Sequence, residues 1–334
     1  MKKRSRLWAL LTALIMAAAL TACGGGDPAG STPPGDDTPA GDTFVVGVCQ
    51  LAPHTALDAA TEGFVAALKE ALGADKVTVK VENAGGEPNN CTTIIDGFIA
   101  EGVDLIMANA TPALTAAASA TDTIPILGTA VTNYGVALSL DTTEDKVLGG
   151  NISGTSDLAP LDQQAAMIQE LFPDAKNVGL LYCSSEANSL FQVETVQGHL
   201  EAMGYTCTPY AFTDVNDLSS VTQTACDSSD VIYIPTDNTA ANNTETIANV
   251  VLSNGVPVVA GEGGICGGCG VATLSISYFE LGEITGRMAA QVLSGEVAIS
   301  DMPIGFDTTL EKMYNAANCE ALNVTVPADY VPLQ

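Results

Sequence analysis

Small polar side chains gather at two places where an apolar run hands over to a helical pattern. Ser185, Asn188 and Ser189 follow NVGLLYC (177–183), and Asp237 and Asn238 follow DVIYIPT (230–236). In open parallel sheets, ligands sit outside the carboxyl ends of the strands, so these are the places to look for recognition. Amide and hydroxyl donors such as Asn188 and Ser189 suit a carboxylate, whereas Asp237, with Glu262 as the other acid on that rim, suits an ammonium. The matching positions in the first half of the chain are Gln50, Thr111, Thr129 and Thr132, with His54 beside them. Thr111 precedes Pro112 at a helix start, where free backbone N–H groups favour an anion. The same residue types are also ordinary helix N-caps, worth about 1 kcal/mol with no ligand present. Position alone therefore does not separate recognition from capping.

Catalysis finds few parts. His54 and His199 are the only histidines, and His199 lies mid-helix among solvated residues. No GxSxG elbow, P-loop or HExxH motif is present, so hydrolase, nucleotide and zincin chemistries lack their side chains. The loop GEGGICGGCG (261–270) has no GxGxxG spacing at a helix start. No catalytic residue, metal or cofactor is expected, and the chain does not read as an enzyme. Tyr134, Tyr278 and Phe279 are available to stack on an aromatic ligand or to fill the core. Glu283 and Arg287, four apart, suit a surface pair.

Positioning these residues requires strands and helices in alternation. FVVGVCQ (44–50), VTVKVENA (77–84), DLIMANA (104–110) and IPILGTA (124–130) are continuous apolar runs of the kind buried on both faces of a parallel sheet. Helical patterns separate them over 56–72, 89–100 and 112–120. A second series follows, NVGLLYC, TCTPYAF (206–212), DVIYIPT and VPVVAGE (256–262), with helices near 189–203, 215–226 and 239–253. Two such series predict an α/β protein of two Rossmann-like lobes with parallel sheets. GGNISGTSD (149–157) suits a hinge, and VATLSISYFELGEITGRMAAQVLSGE (271–296) adds a strand and a long helix that return to the first lobe. The expected division is lobe 1 over 44–156 plus 278–304 and lobe 2 over 157–277 plus 305–334, joined by several crossovers around a central cleft.

The start of the chain has a different character. Lys2, Lys3, Arg4 and Arg6 precede an apolar run from Leu7 to Leu20, too short to span a bilayer comfortably and suited to a signal-peptide core over residues 1–22. Leu20-Thr21-Ala22-Cys23 matches a bacterial lipobox, which makes Cys23 the expected site of lipidation. Residues 23–43 are Gly- and Pro-rich with no large apolar side chain, a flexible linker with a reach of roughly 25 Å. Removal of the leader takes four of the 11 basic residues and none of the 39 acidic ones, leaving a net charge of −32. Nucleic acid and anionic lipid surfaces are thereby excluded as partners, because both need clustered Lys and Arg. The expected location is extracytoplasmic, anchored to the bacterial membrane through Cys23. Eight cysteines then remain, an even number in an exported chain, with 105 possible pairings. Cys49 with Cys91 is the expected disulfide, both falling on the carboxyl-end rim of lobe 1; Cys266 and Cys269 are candidates to close on each other or to reach Cys183.

Several ordered segments resemble one family. HTALDAATEGF (54–64), ANATP (108–112), TAVT (129–132), GTSDLAP (154–160), EANS (186–189), YIPTDNT (233–239) and ISYFELGEITGRMAA (276–290) are similar to the tryptophan/tyrosine-type ABC transporter substrate-binding proteins, a branch of the type I periplasmic-binding-protein fold. EANS and IPTDN are the most specific of these, and the similarity runs over nearly all of residues 44–325. The resemblance implies a cleft that closes on a small amino-acid-like ligand, often aromatic, and delivers it to a permease driven by a cytoplasmic ATPase. A signalling co-receptor of the same fold and a sugar- or nucleoside-binding protein are the alternatives. GEGGICGGCG departs from the family pattern and leaves the ligand's identity open.

Overall fold

Val, Ile and Leu runs become strands where a partner lies on both sides. A computed structural model describes residues 43–140 and 147–333. The expected leader, the expected lipidation site Cys23 and the expected linker lie outside the described residues. The first five strands are β1 (Phe44–Gln50), β2 (Val77–Asn83), β3 (Leu105–Asn109), β4 (Ile126–Val131) and β5 (Ile152–Ser156). The next five are β6 (Asn177–Cys183), β7 (Thr206–Phe212), β8 (Val231–Ile234), β9 (Val258–Ala260) and β10 (Ala272–Ser275). β11 (Gly305–Phe306), β12 (Glu311–Tyr314) and β13 (Val331–Pro332) complete the set. One sheet has the order β11-β5-β4-β3-β1-β2 and the other β13-β12-β10-β9-β8-β6-β7. All pairings are parallel except β10 with β12. The two-lobed parallel α/β architecture is thus as the alternating pattern predicts.

The central strands have no solvated face. Every residue of β3 and of β4 is buried, each large aliphatic side chain contributing about 1.5–3 kcal/mol. Helices Thr55–Leu72 and Tyr278–Leu293 pack together on lobe 1. Their backbones approach so closely that a Cβ on Gly282 would lie 2.1 Å from the Ala60 carbonyl oxygen. The returning helix is therefore an integral layer of lobe 1.

Two elements differ from expectation. The Gly-rich stretch read as hinge contains β5, a strand of small residues whose alternation carries no apolar signal. Gly154 within it, at φ +140, passes so near β4 that a Cβ would meet the Gly128 carbonyl at 2.1 Å. The second is β11, which pairs with β5. Gly305 and Phe306 therefore belong to lobe 1, two residues beyond the expected boundary at 304. Among the described residues the chain crosses between the sheets three times, after β5, after β10 and after β11.

All eight described cysteines are free thiols. The expected Cys49–Cys91 disulfide is not formed in the structure, where both thiols are free and buried. Cys269 donates to the Ile265 carbonyl at 3.4 Å, and Cys183 is engaged by Ser185 and the Thr213 carbonyl. Neither is positioned by a bond to the other or to Cys266. Burial pushes the Cys183, Cys266 and Cys269 thiols up, away from the thiolate that redox or nucleophilic chemistry needs.

Candidate functional site

Carboxyl ends of strands from both sheets face one another across the interlobe cleft. At its centre lies a narrow cavity of about 10 Å³, room for little more than one water-sized group. His54, Ala130, Thr132 and Tyr278 border it from lobe 1; Asn188, Asp237, Asn238 and Glu262 border it from lobe 2; Asp157 borders it from the first crossing. Wider clefts open on both sides, one shared through Asn188 and lined by Thr111, Pro112 and Ser185, the other shared through His54, Glu262 and Tyr278. Ala110 and Ala130, at the ends of β3 and β4, have φ of +93° and +51°. Such strain in non-glycine residues collects at ligand clamps.

The two family-like motifs are bound to each other by a buried acid. Glu186 accepts from the Asn238 backbone N–H at 3.0 Å, Asn238 Nδ2 at 2.7 Å, and both the N–H and hydroxyl of Thr239 at 2.8 Å. Asn188 Nδ2 donates to the same carboxylate at 3.2 Å. The EANS and TDN segments are thus one unit, which fixes Asn188 and Asn238 at the cavity wall.

Asp237 is occupied by backbone. One oxygen accepts from Ala240 N–H at 2.8 Å as the N-cap of helix Asn238–Ala241, and the other from Cys183 N–H at 2.7 Å. Burial, then the nearby Glu186 charge, pushes its carboxyl up to about 7 against those two donors. Glu262 likewise caps the short helix Gly263–Gly268 through Gly264 and Ile265 N–H groups, and burial pushes it up to about 7. That cap explains how a run so rich in glycine becomes helical.

Asp157, not singled out as a site residue from sequence, is the acid with an oxygen to spare. It is 4% exposed; Tyr278 donates its hydroxyl to one oxygen at 2.8 Å, while the other is buried with no partner in the protein. Burial raises its pKa, and the Tyr278 hydroxyl opposes the shift. Its only trace in the sequence is its place at the end of GTSD, where a hinge was expected.

The remaining predicted residues divide. Thr132 lines the cavity. Thr111 and Ser185 line the adjoining cleft, with Thr111 Oγ1 unpartnered and buried. Gln50 holds the end of β1 to the first helix through Asp58 at 2.6 Å and Thr61 at 2.7 Å. Thr129 belongs to a buried hydroxyl cluster with Thr155 and Thr285, both at 3.1 Å. Ser189 lies behind Asn188 at 3.3 Å. Tyr134 is core, donating to the Thr155 carbonyl at 3.1 Å, and Glu283 pairs with Arg287 at 3.6 Å on the surface.

Two parallel α/β lobes joined by three crossings around a polar cleft are the architecture of the type I periplasmic binding proteins. The chain matches the family of ABC transporter substrate binding proteins over residues 45–331, and it belongs to that family, one of binding proteins rather than enzymes. It is 29% identical to the tyrosine-binding protein of Clostridioides difficile (strain R20291) over 328 residues, 97% of this chain and 93% of that one. The structure of an ABC domain in complex with L-Trp from Streptococcus pneumonia is 31% identical, with a TM-score of 0.81 over 86% of this chain and 97% of the other. A conserved domain protein from Vibrio cholerae is 28% identical, with a TM-score of 0.83 over 88% of this chain and all of the other. A protein with bound L-rhamnose shares the fold at 14% identity and a TM-score of 0.57.

Proposed function

We propose that the protein is an extracytoplasmic solute receptor of an ABC importer, lipid-anchored through Cys23, that closes on an amino acid with an aromatic side chain and delivers it to a membrane permease with a cytoplasmic ATPase. The observation that carries the ligand class is Asp157, a buried acid with a free oxygen on an enclosed cavity among whose bordering residues there is no Lys or Arg. Such a carboxylate calls for a cationic partner. The relatives named for tyrosine and solved with L-Trp support an amino acid as that partner. Thr111, whose hydroxyl is unpartnered in the adjoining cleft, suits the carboxylate end. Because the central cavity is narrow, the lobes must part to admit a ligand, and the clefts beside it leave space for a side chain.

A thermal-shift panel of the twenty amino acids, common sugars and nucleosides tests this. A ligand at 100 times its Kd adds about 2.7 kcal/mol to stability. Stabilisation by tyrosine, tryptophan or phenylalanine is expected; stabilisation by sugars alone overturns the ligand class.

A further inference from the structure

Three acceptors with no partner in the protein border the central cavity: Nδ1 of His54, Oδ1 of Asp157 and Oδ1 of Asn188. Two of them are held in the accepting state by their neighbours, and the third belongs to a carboxyl group whose other oxygen accepts from Tyr278. Asn188 Nδ2 donates to the Thr236 carbonyl at 3.0 Å and to Glu186 at 3.2 Å, groups that only accept, which fixes the amide with its oxygen free. Asn238 Nδ2 donates to Glu186 at 2.7 Å and so turns its own oxygen to His54 Nε2, 3.3 Å away. Nε2 must therefore carry the proton, and Nδ1 of the neutral ring keeps its lone pair. Burial lowers the His54 pKa, with Asn238, Glu186 and Asp58 opposing, which favours that neutral ring. The acidic groups that share the cavity wall are Asp157, Asp237 and Glu262.

These acceptors come from three separate parts of the molecule. His54 precedes the first helix of lobe 1, Asp157 lies on the first crossing, and Asn188 lies in the first turn of helix Ala187–Ala202 in lobe 2. We propose that together they form a receptor for a primary ammonium, with His54 as the residue that makes the site specific for three N–H donors. This rests on the amino-acid reading and deepens it by excluding N-alkylated ligands. A primary ammonium has three donors and no acceptor, which matches the three free acceptors in number and kind. A ligand short of one hydrogen leaves a buried acceptor unpaired in the closed cleft, and sites built on hydrogen bonds reject such analogues strongly. One ammonium also joins both lobes and the hinge, so binding and closure become the same event. Glu186 and Asn238 are positioning residues, acting through the imidazole tautomer.

The test is calorimetric titration of the purified protein with L-tyrosine and L-tryptophan and their N-methyl derivatives, on wild type, His54→Phe and Asn238→Ala, with circular dichroism to establish folding. N-methylation is expected to weaken binding at least about tenfold in the wild type and less than about threefold in His54→Phe. Asn238→Ala, which leaves the ring's tautomer unset, should also reduce the penalty. An equal N-methylation penalty in wild type and in a folded variant overturns the His54 assignment while leaving the amino-acid reading intact. If the wild type binds neither amino acid, the functional reading fails and this proposal fails with it.

Discussion

The Tyr278 hydroxyl donates to Asp157 Oδ2 at 2.8 Å, joining the first residue of helix Tyr278–Leu293 in lobe 1 to the first crossing between the lobes. The bond therefore ties that crossing to lobe 1 beside the cavity and orients the acid whose other oxygen is free. Its loss in Tyr278→Phe leaves a buried carboxylate with one donor fewer. A drop of about 1–3 kcal/mol in unfolding free energy is expected from denaturant titration, with weaker amino-acid binding. An unchanged midpoint would show that the bond is not formed in solution.

Asp157→Asn removes the charge and keeps the shape. Ligand-free stability should hold or rise, because the wild-type acid is buried without a cation, whereas affinity for an amino acid should fall at least about tenfold. Asp237→Asn is expected to act mainly on stability, since both oxygens of Asp237 are taken by backbone N–H groups. Calorimetric affinity and melting temperature, measured on both variants, separate the two roles. A larger affinity loss in Asp237→Asn would reverse the assignment.

Stability should carry the signature of raised acids. Glu262 is pushed from 4.5 to about 7 by burial, so between those values the folded state holds a proton that the unfolded state has released. Stability therefore falls as pH rises through that window, by at most about 3 kcal/mol from this group. Asp237, raised to about 7, acts in the same direction; His54, lowered by burial, acts oppositely below its ordinary 6.5. Denaturant unfolding at pH 5 and pH 8 should show a smaller pH-dependent loss in Glu262→Gln than in wild type. Equal losses would mean that Glu262 is ionised throughout.

The packing of the returning helix gives a prediction independent of the ligand. Gly282→Ala sets a methyl 2.1 Å from the Ala60 carbonyl, so helices Thr55–Leu72 and Tyr278–Leu293 must separate. Overpacking of this kind costs about 1–3 kcal/mol. A thermal melt indistinguishable from wild type would contradict the close approach.

Much of the fold was legible because apolar runs and turn residues mark buried parallel strands well; β1 and β6 begin and end where their sequence patterns do. β5 was not legible, since ISGTS owes its strand to close contact with β4 and not to any run of large apolar residues. The site was half legible. Residue type and strand-end position locate Asn188, Asn238, Thr132 and His54 on the cavity wall, but they do not say which acid is already satisfied. Asp237 and Asp157 differ in their hydrogen-bond partners, 54 residues apart in sequence for the Cys183–Asp237 bond and 121 for Tyr278–Asp157, and such pairings exist only after folding. The caps considered from sequence prove real for Asp237 and Glu262. The discrepancy at Gln50 and Thr129 has the same origin, because both turn into lobe 1 rather than toward the cleft.

The most direct measurement is calorimetric titration of the protein with L-tyrosine and L-tryptophan beside their deaminated counterparts, 3-(4-hydroxyphenyl)propionate and 3-(indol-3-yl)propionate. An ammonium held by Asp157 in the enclosed cavity predicts binding of at least one amino acid and a loss of about a hundredfold or more without its amine. Equal affinity for an amino acid and its deaminated counterpart would contradict the account.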